Sequence, residues 1–194
     1  MAHQPQDHRI KPTVILPDTT PLVHLAAAGA LHVLTGLGRV IVVDVVALEA
    51  TYYEGKPYAR EIAAWIDAGS KPGSNLPVEV AATELGPLYK LALDQNVKPP
   101  RNAGEIAIAE WLGDELRRLD GPALVVYENG RVPAMLAREG VAATVAVATT
   151  RNLLELAQRE GLIPDAETLW ARIVTAAPTE NPASVVTIIN PRKP

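Results

Sequence analysis

Short aliphatic runs alternate along this chain with longer stretches in which apolar residues recur every three or four positions. The first kind reads as strands buried on both faces, the second as amphipathic helices. The runs are Thr13 to Asp18, Arg39 to Val43, Pro77 to Ala81, Ala123 to Tyr127 and Val141 to Val147. Helices are predicted between them. One is opened by Thr20 with Pro21 in first position and breaks near Gly29, and a short one spans Leu31 to Leu34. Asp44 caps another that runs to Glu54, and Pro57 opens one that ends at Gly69. Glu84 to Asn96 reads as a helix made imperfect by Gly86 and Pro87. Asn102 caps a long helix to Leu119, a further helix ends at Glu139, and two more cover Arg151 to Glu160 and Asp165 to Ala176.

Strands alternating with helices predict right-handed βαβ units, and so an α/β fold with three layers and a central, mostly parallel sheet. One domain is expected over residues 13–177. Residues 1–12 are polar and read as a disordered tail without a signal-peptide core. Residues 178–194 form an extension whose segment Val185 to Ile189 has strand composition and could add an edge strand or pair with a partner chain.

Composition removes several function classes. The chain has no Cys, which excludes disulfides, thiolate catalysis and Cys-type zinc sites and makes the cytoplasm the default location. Ser70, Ser74 and Ser184 are the only serines, and none sits in a Gly-x-Ser-x-Gly elbow. There is no P-loop, and Thr35-Gly36-Leu37-Gly38-Arg39 lacks the third glycine of a dinucleotide fingerprint. No run approaches the ~18 apolar residues of a membrane helix. The net charge of −4 argues against a general coater of nucleic acid.

What remains is a set of acids in unusual places. Asp18 and Glu128 each end an aliphatic run, where function gathers in open α/β sheets. Glu49 is in helical register with Val45, Val46, Tyr52 and Tyr53, and Glu105 with Ile108, Ala109, Leu112 and Leu116. Carboxylates turned toward a core need partners, and a divalent cation is one. Each acid also has a plainer reading. Asn102-Ala103-Gly104-Glu105 fits a capping box, Asp18 fits a helix cap, Glu49 fits a snorkelling helix residue, and Glu128-Asn129-Gly130 fits an exposed turn.

Together the motifs resemble the PIN-domain nucleases, in particular their compact toxin-like group. Val14 to Leu25 is similar to that family's opening strand, Asp, hydroxyl residues and helix; Val42 to Glu49 to its second acidic motif; Gly104 to Ala109 to its Gly-Glu helix start; and Ala123 to Asn129 to its last acidic strand end. The Gly161-Leu162-Ile163 helix end is also typical. The resemblance covers about residues 13–163 and departs from the family at Glu128-Asn129, where Asp is usual, and at a following turn whose one Arg is Arg131.

The resemblance implies a nuclease cutting single-stranded RNA with Mg²⁺ or Mn²⁺. Asp18, Glu105 and Glu128 would hold the metal, and Glu49 would join them as ligand or base. Thr20, Asn129 and Arg131 would contact substrate, with Lys98, Arg101 and Arg138 as further cations. An antitoxin protein and a homodimer would be the expected partners. The alternative is a PIN-like binding module with a degraded site. His24 reads as a packing residue on the first helix.

Overall fold

A computed structural model describes residues 12–75, 77–128 and 145–176. Five strands, β1 (Val14–Pro17), β2 (Arg39–Val43), β3 (Val78–Ala81), β4 (Ala123–Val126) and β5 (Val145–Ala148), form one sheet in the order β3-β2-β1-β4-β5. Every pairing is parallel. Helices α1 (Thr19–Ala27), α2 (His32–Leu37), α3 (Asp44–Thr51), α4 (Ala59–Ser70), α5 (Leu85–Asp94), α6 (Ala103–Glu115), α7 (Thr150–Arg159) and α8 (Ala166–Ala176) flank it, giving the expected three-layer α/β/α arrangement. Among the described residues no helix is long and apolar enough to cross a membrane.

The central strands are aliphatic because both of their faces are covered. Ile15, Leu16, Val40, Ile41, Val42, Val125 and Val126 are all fully buried. The chain winds from β1 through β2 to β3 and then returns to β4 on the other side of β1, so the switch in winding direction falls between β1 and β4. The carboxyl ends of β1 and β4 therefore lie side by side: Pro17 pairs with Val126, and the Asp18 N–H donates to the Val126 carbonyl at 2.8 Å. Helix α3 packs on α1, α4, α5 and α6, so it is the hub of the layer it occupies.

Several local expectations shift. Helix α1 starts at Thr19 with Asp18 in the cap position, so Thr20 does not cap it, and Pro21 falls in the first turn, where its missing N–H costs nothing. Val43, not Asp44, holds the cap position of α3, which ends at Thr51 rather than Glu54, and the Asp44 carboxylate serves a different purpose. Its Oδ1 accepts from the Val45 N–H at 2.8 Å and the Thr83 hydroxyl at 2.7 Å, and its Oδ2 accepts from the Thr83 N–H at 3.1 Å. It thereby ties the end of β2 to the segment after β3. Gly86 is small for this reason, since a Cβ there would lie 1.8 Å from Asp44 Oδ2. The long helix expected to reach Leu119 ends at Glu115 in a 3₁₀ turn over Leu116–Arg118. Strand β5 extends to Ala148, one residue past its predicted end. The helix expected to end at Glu139, both termini and the Val185–Ile189 segment lie outside the described residues.

Candidate functional site

Asp18 leaves β1 at the N-terminus of α1, with 7% of its surface exposed. Its own side chain makes no capping bond to α1 beyond the adjacent Thr19 N–H. Three other carboxylates act on it: Glu105 most strongly, then Glu49, then Glu128. Four separate elements, β1, α3, α6 and the end of β4, thus bring the four predicted acids into one electrostatic neighbourhood. Burial is the largest influence on Asp18, and with these like charges it pushes the carboxyl up from 3.8 to about 7.

Gly104 shows how closely the parts fit. A Cβ at this position would lie 3.0 Å from Asp18 Oδ1 and 3.2 Å from Glu49 Oε2. A methyl there would be tight against both carboxylates, which would have to give by a few tenths of an ångström. The adjacent Glu105 is 8% exposed. The alternative capping-box reading of Asn102 and Glu105 fails on conformation. Asn102 is left-handed, at φ 58° and ψ 30°, whereas a capping side chain needs extended backbone, and it makes no cap bond. Three helix N-termini converge here: α1 at Asp18, α6 at Glu105 and α7 at Glu128. Each favours negative charge.

Glu49 is oriented from two sides. The Thr19 hydroxyl donates to its Oε2 at 2.6 Å, and the Tyr89 hydroxyl bonds its carboxylate. Burial and the nearby Glu49 charge push Tyr89 well above its ordinary range. The hydroxyl at this acid is that of Thr19, a residue to which the sequence pattern assigns no role at Glu49.

Glu128 is held differently. The Thr150 N–H donates to its Oε1 at 2.8 Å, at the start of α7, and His24 Nδ1 lies 3.5 Å from the same oxygen. Burial raises its carboxyl, but the bonds from His24 and from the hydroxyl and N–H of Thr150 outweigh this and hold it below its ordinary value. His24 is buried, with its Nδ1 3.4 Å from the Thr150 hydroxyl and its ring edge-on to Trp170. The expectation of a packing histidine is therefore incomplete, because the ring also faces an acid of the group. Its place on the buried face of α1 beside Leu25 was the available signal.

Lys98 and Arg101 are exposed in the segment leading into α6. Asn129, Arg131 and Arg138 lie outside the described residues. Among the described residues no group of three or more His, Asp or Glu side chains is arranged to hold a metal ion. The donor chemistry still suits a hard cation. Mg²⁺ takes oxygen ligands, commonly one or two carboxylates, and keeps several waters. Asp18 and Glu105, its strongest like-charged neighbour, are two such carboxylates; Glu49 is bonded by Thr19 and Glu128 by Thr150. Compared with known proteins, the chain matches no family model, no curated protein and no solved structure.

Proposed function

We propose that the chain is a PIN-like, metal-dependent ribonuclease that hydrolyses phosphodiester bonds of single-stranded RNA. The observation that carries this reading is the meeting of Asp18, Glu49, Glu105 and Glu128 from four elements, with Asp18 pushed to about 7. A buried acid under that much repulsion suits a site completed by a cation. Mg²⁺ or Mn²⁺, held by Asp18 and Glu105 with Glu128 behind them, would supply Lewis acidity and charge neutralisation at the phosphate. Glu49, bonded by the Thr19 and Tyr89 hydroxyls, would receive the proton of the attacking water. Thr20, Asn129 and Arg131 remain the proposed substrate contacts. The resemblance to toxin-like PIN proteins further suggests a cytoplasmic toxin with an antitoxin partner, assembled as a homodimer.

A second reading, a binding module on the same fold, is favoured by one feature. Glu128 is already satisfied by Thr150 and His24, as an anion capping α7 would be. One experiment separates the two. Wild type and Asp18→Asn are incubated with labelled single-stranded RNA, with Mg²⁺, with Mn²⁺ and with chelator. Metal-dependent cutting that disappears in the variant supports the nuclease. No cutting with either metal, or equal cutting by both proteins, refutes it.

A further inference from the structure

The chain is poor in aromatics, with five Tyr, three Trp and no Phe, yet Tyr52, Tyr53 and Tyr89 gather beside Glu49. Tyr53 lies four residues beyond Glu49, just past the end of α3 at Thr51. Its ring is 44% exposed. It stands edge-on to Tyr52, with centroids 4.8 Å apart and planes at 83°. Tyr52 is itself anchored, since its hydroxyl donates to Asp94 Oδ1 at 2.6 Å, and Asp94 is paired with Lys90. Lys56 completes the group. Its ammonium donates to the Glu49 carbonyl at 2.7 Å and lies 5.9 Å from the centroid of the Tyr53 ring. An exposed aromatic ring thus packs against a second, anchored ring, beside an ammonium bonded to the Glu49 carbonyl, just past the helix that carries an acid of the site.

We infer that Tyr53 and Lys56 form a docking platform for single-stranded nucleic acid, Tyr53 stacking an unpaired base and Lys56 meeting the adjoining phosphate. The assignment rests on the proposed nuclease reading and adds the substrate-holding part that its acids cannot provide. Carboxylates repel a phosphate backbone, so a strand needs attraction from elsewhere. A π-face binds any unpaired base, and a neighbouring ammonium binds phosphate. A ring already oriented loses little freedom on stacking. A duplex keeps its bases stacked on one another and offers this platform none, so the platform selects single strands.

The test is fluorescence anisotropy with a labelled oligoadenylate in EDTA, where metal-dependent cutting is silent. Wild type, Tyr53→Ala, Tyr53→Trp and Lys56→Gln are compared over a range of salt, with a duplex of the same length as competitor. Tyr53→Ala weakens binding by about tenfold or more, the loss of one stacked base, while Tyr53→Trp keeps it. Lys56→Gln weakens binding and lowers the salt slope by about one phosphate contact. Wild type that binds no oligoadenylate, Tyr53→Ala that binds as wild type does, or a duplex that competes equally overturns the platform. Its failure is distinguishable from failure of the nuclease. Cutting lost in Asp18→Asn but unchanged oligoadenylate binding in Tyr53→Ala leaves the nuclease without this platform. Tyr53-dependent binding without cutting leaves the platform on a binding module.

Discussion

Asp18→Asn should stabilise the metal-free protein while abolishing its proposed activity. The Asp18 carboxyl ionises near 3.8 when solvated and at about 7 in the fold. Ionising it in the folded chain therefore costs about 4 kcal/mol more than in the unfolded chain. Between these two values the folded chain keeps a proton that the unfolded chain has lost, so stability falls as pH rises, then levels off. Asparagine has nearly the same shape and never ionises. The variant should match wild type near pH 3.5, lead by about 1.5 kcal/mol at pH 5, and lead by about 4 kcal/mol above pH 7. Against a total stability of about 5–15 kcal/mol, that is a large fraction.

Urea unfolding in chelator, followed by the fluorescence of Trp65, Trp111 and Trp170, reads this difference directly. Other titrating groups shift both proteins alike and cancel from the comparison, apart from the coupled Glu49, Glu105 and Glu128. Those three gain from the loss of a like charge, in the same direction. A variant no more stable than wild type at pH 8, or a lead that does not change with pH, refutes the argument from burial and repulsion. Saturating Mg²⁺ or Mn²⁺ should recover the missing stability in wild type and do much less for the variant, because a cation bound only to the folded state stabilises it by mass action.

Other substitutions probe the surroundings. Gly104→Ala places a methyl against Asp18, Glu49 and Val46; overpacking outweighs the gain in helix propensity, for a net loss of about 1–2 kcal/mol in urea unfolding, and RNA cutting drops with it. Asp44→Ala removes the acceptor for the Thr83 N–H and hydroxyl and should lower stability by about 2–4 kcal/mol in the same assay. Glu128→Gln should cost about 1–3 kcal/mol at neutral pH, because bonds to a charged acceptor become bonds to a neutral one. Its pH trend is opposite to that of Asp18. The lowered carboxyl contributes stability that is present above its ordinary value of 4.5 and lost as pH falls through its folded value, so the deficit closes in acid.

The architecture was legible because the central strands β1, β2 and β4 are dominated by Val, Ile and Leu, as a doubly covered sheet requires. The four acids were legible because they break the buried register or end a run. Less visible were features that depend on contacts between distant segments. His24 meets Thr150 across 126 positions, and one histidine on an apolar helix face gives no sign of that pairing. The reach of Asp44 to Thr83 spans 39 positions and was hidden behind the equally good local reading of a cap. At Asn102 the local signature pointed the wrong way. The capping-box spelling is present, but the left-handed backbone that swings α6 onto the acids removes the geometry the box needs.

The two acids that follow strands β1 and β4 share one end of the sheet yet are driven apart in acidity, which divides their proposed roles. Asp18 is raised, by burial first and then by its neighbours; Glu128 is lowered, because His24 and Thr150 donate to it more than burial costs it. A carboxylate already bonded by protein donors gains little from a cation, while one held near neutral pH by burial and repulsion gains much. In the proposed site an ion would gain most at Asp18, with Glu105 its strongest like-charged neighbour and Glu128 bonded to the start of α7. It follows that the departure from Asp at position 128 matters less to the proposed activity than any change at position 18. A longer side chain that reaches the N-terminus of α7 leaves the Asp18 and Glu105 pair intact.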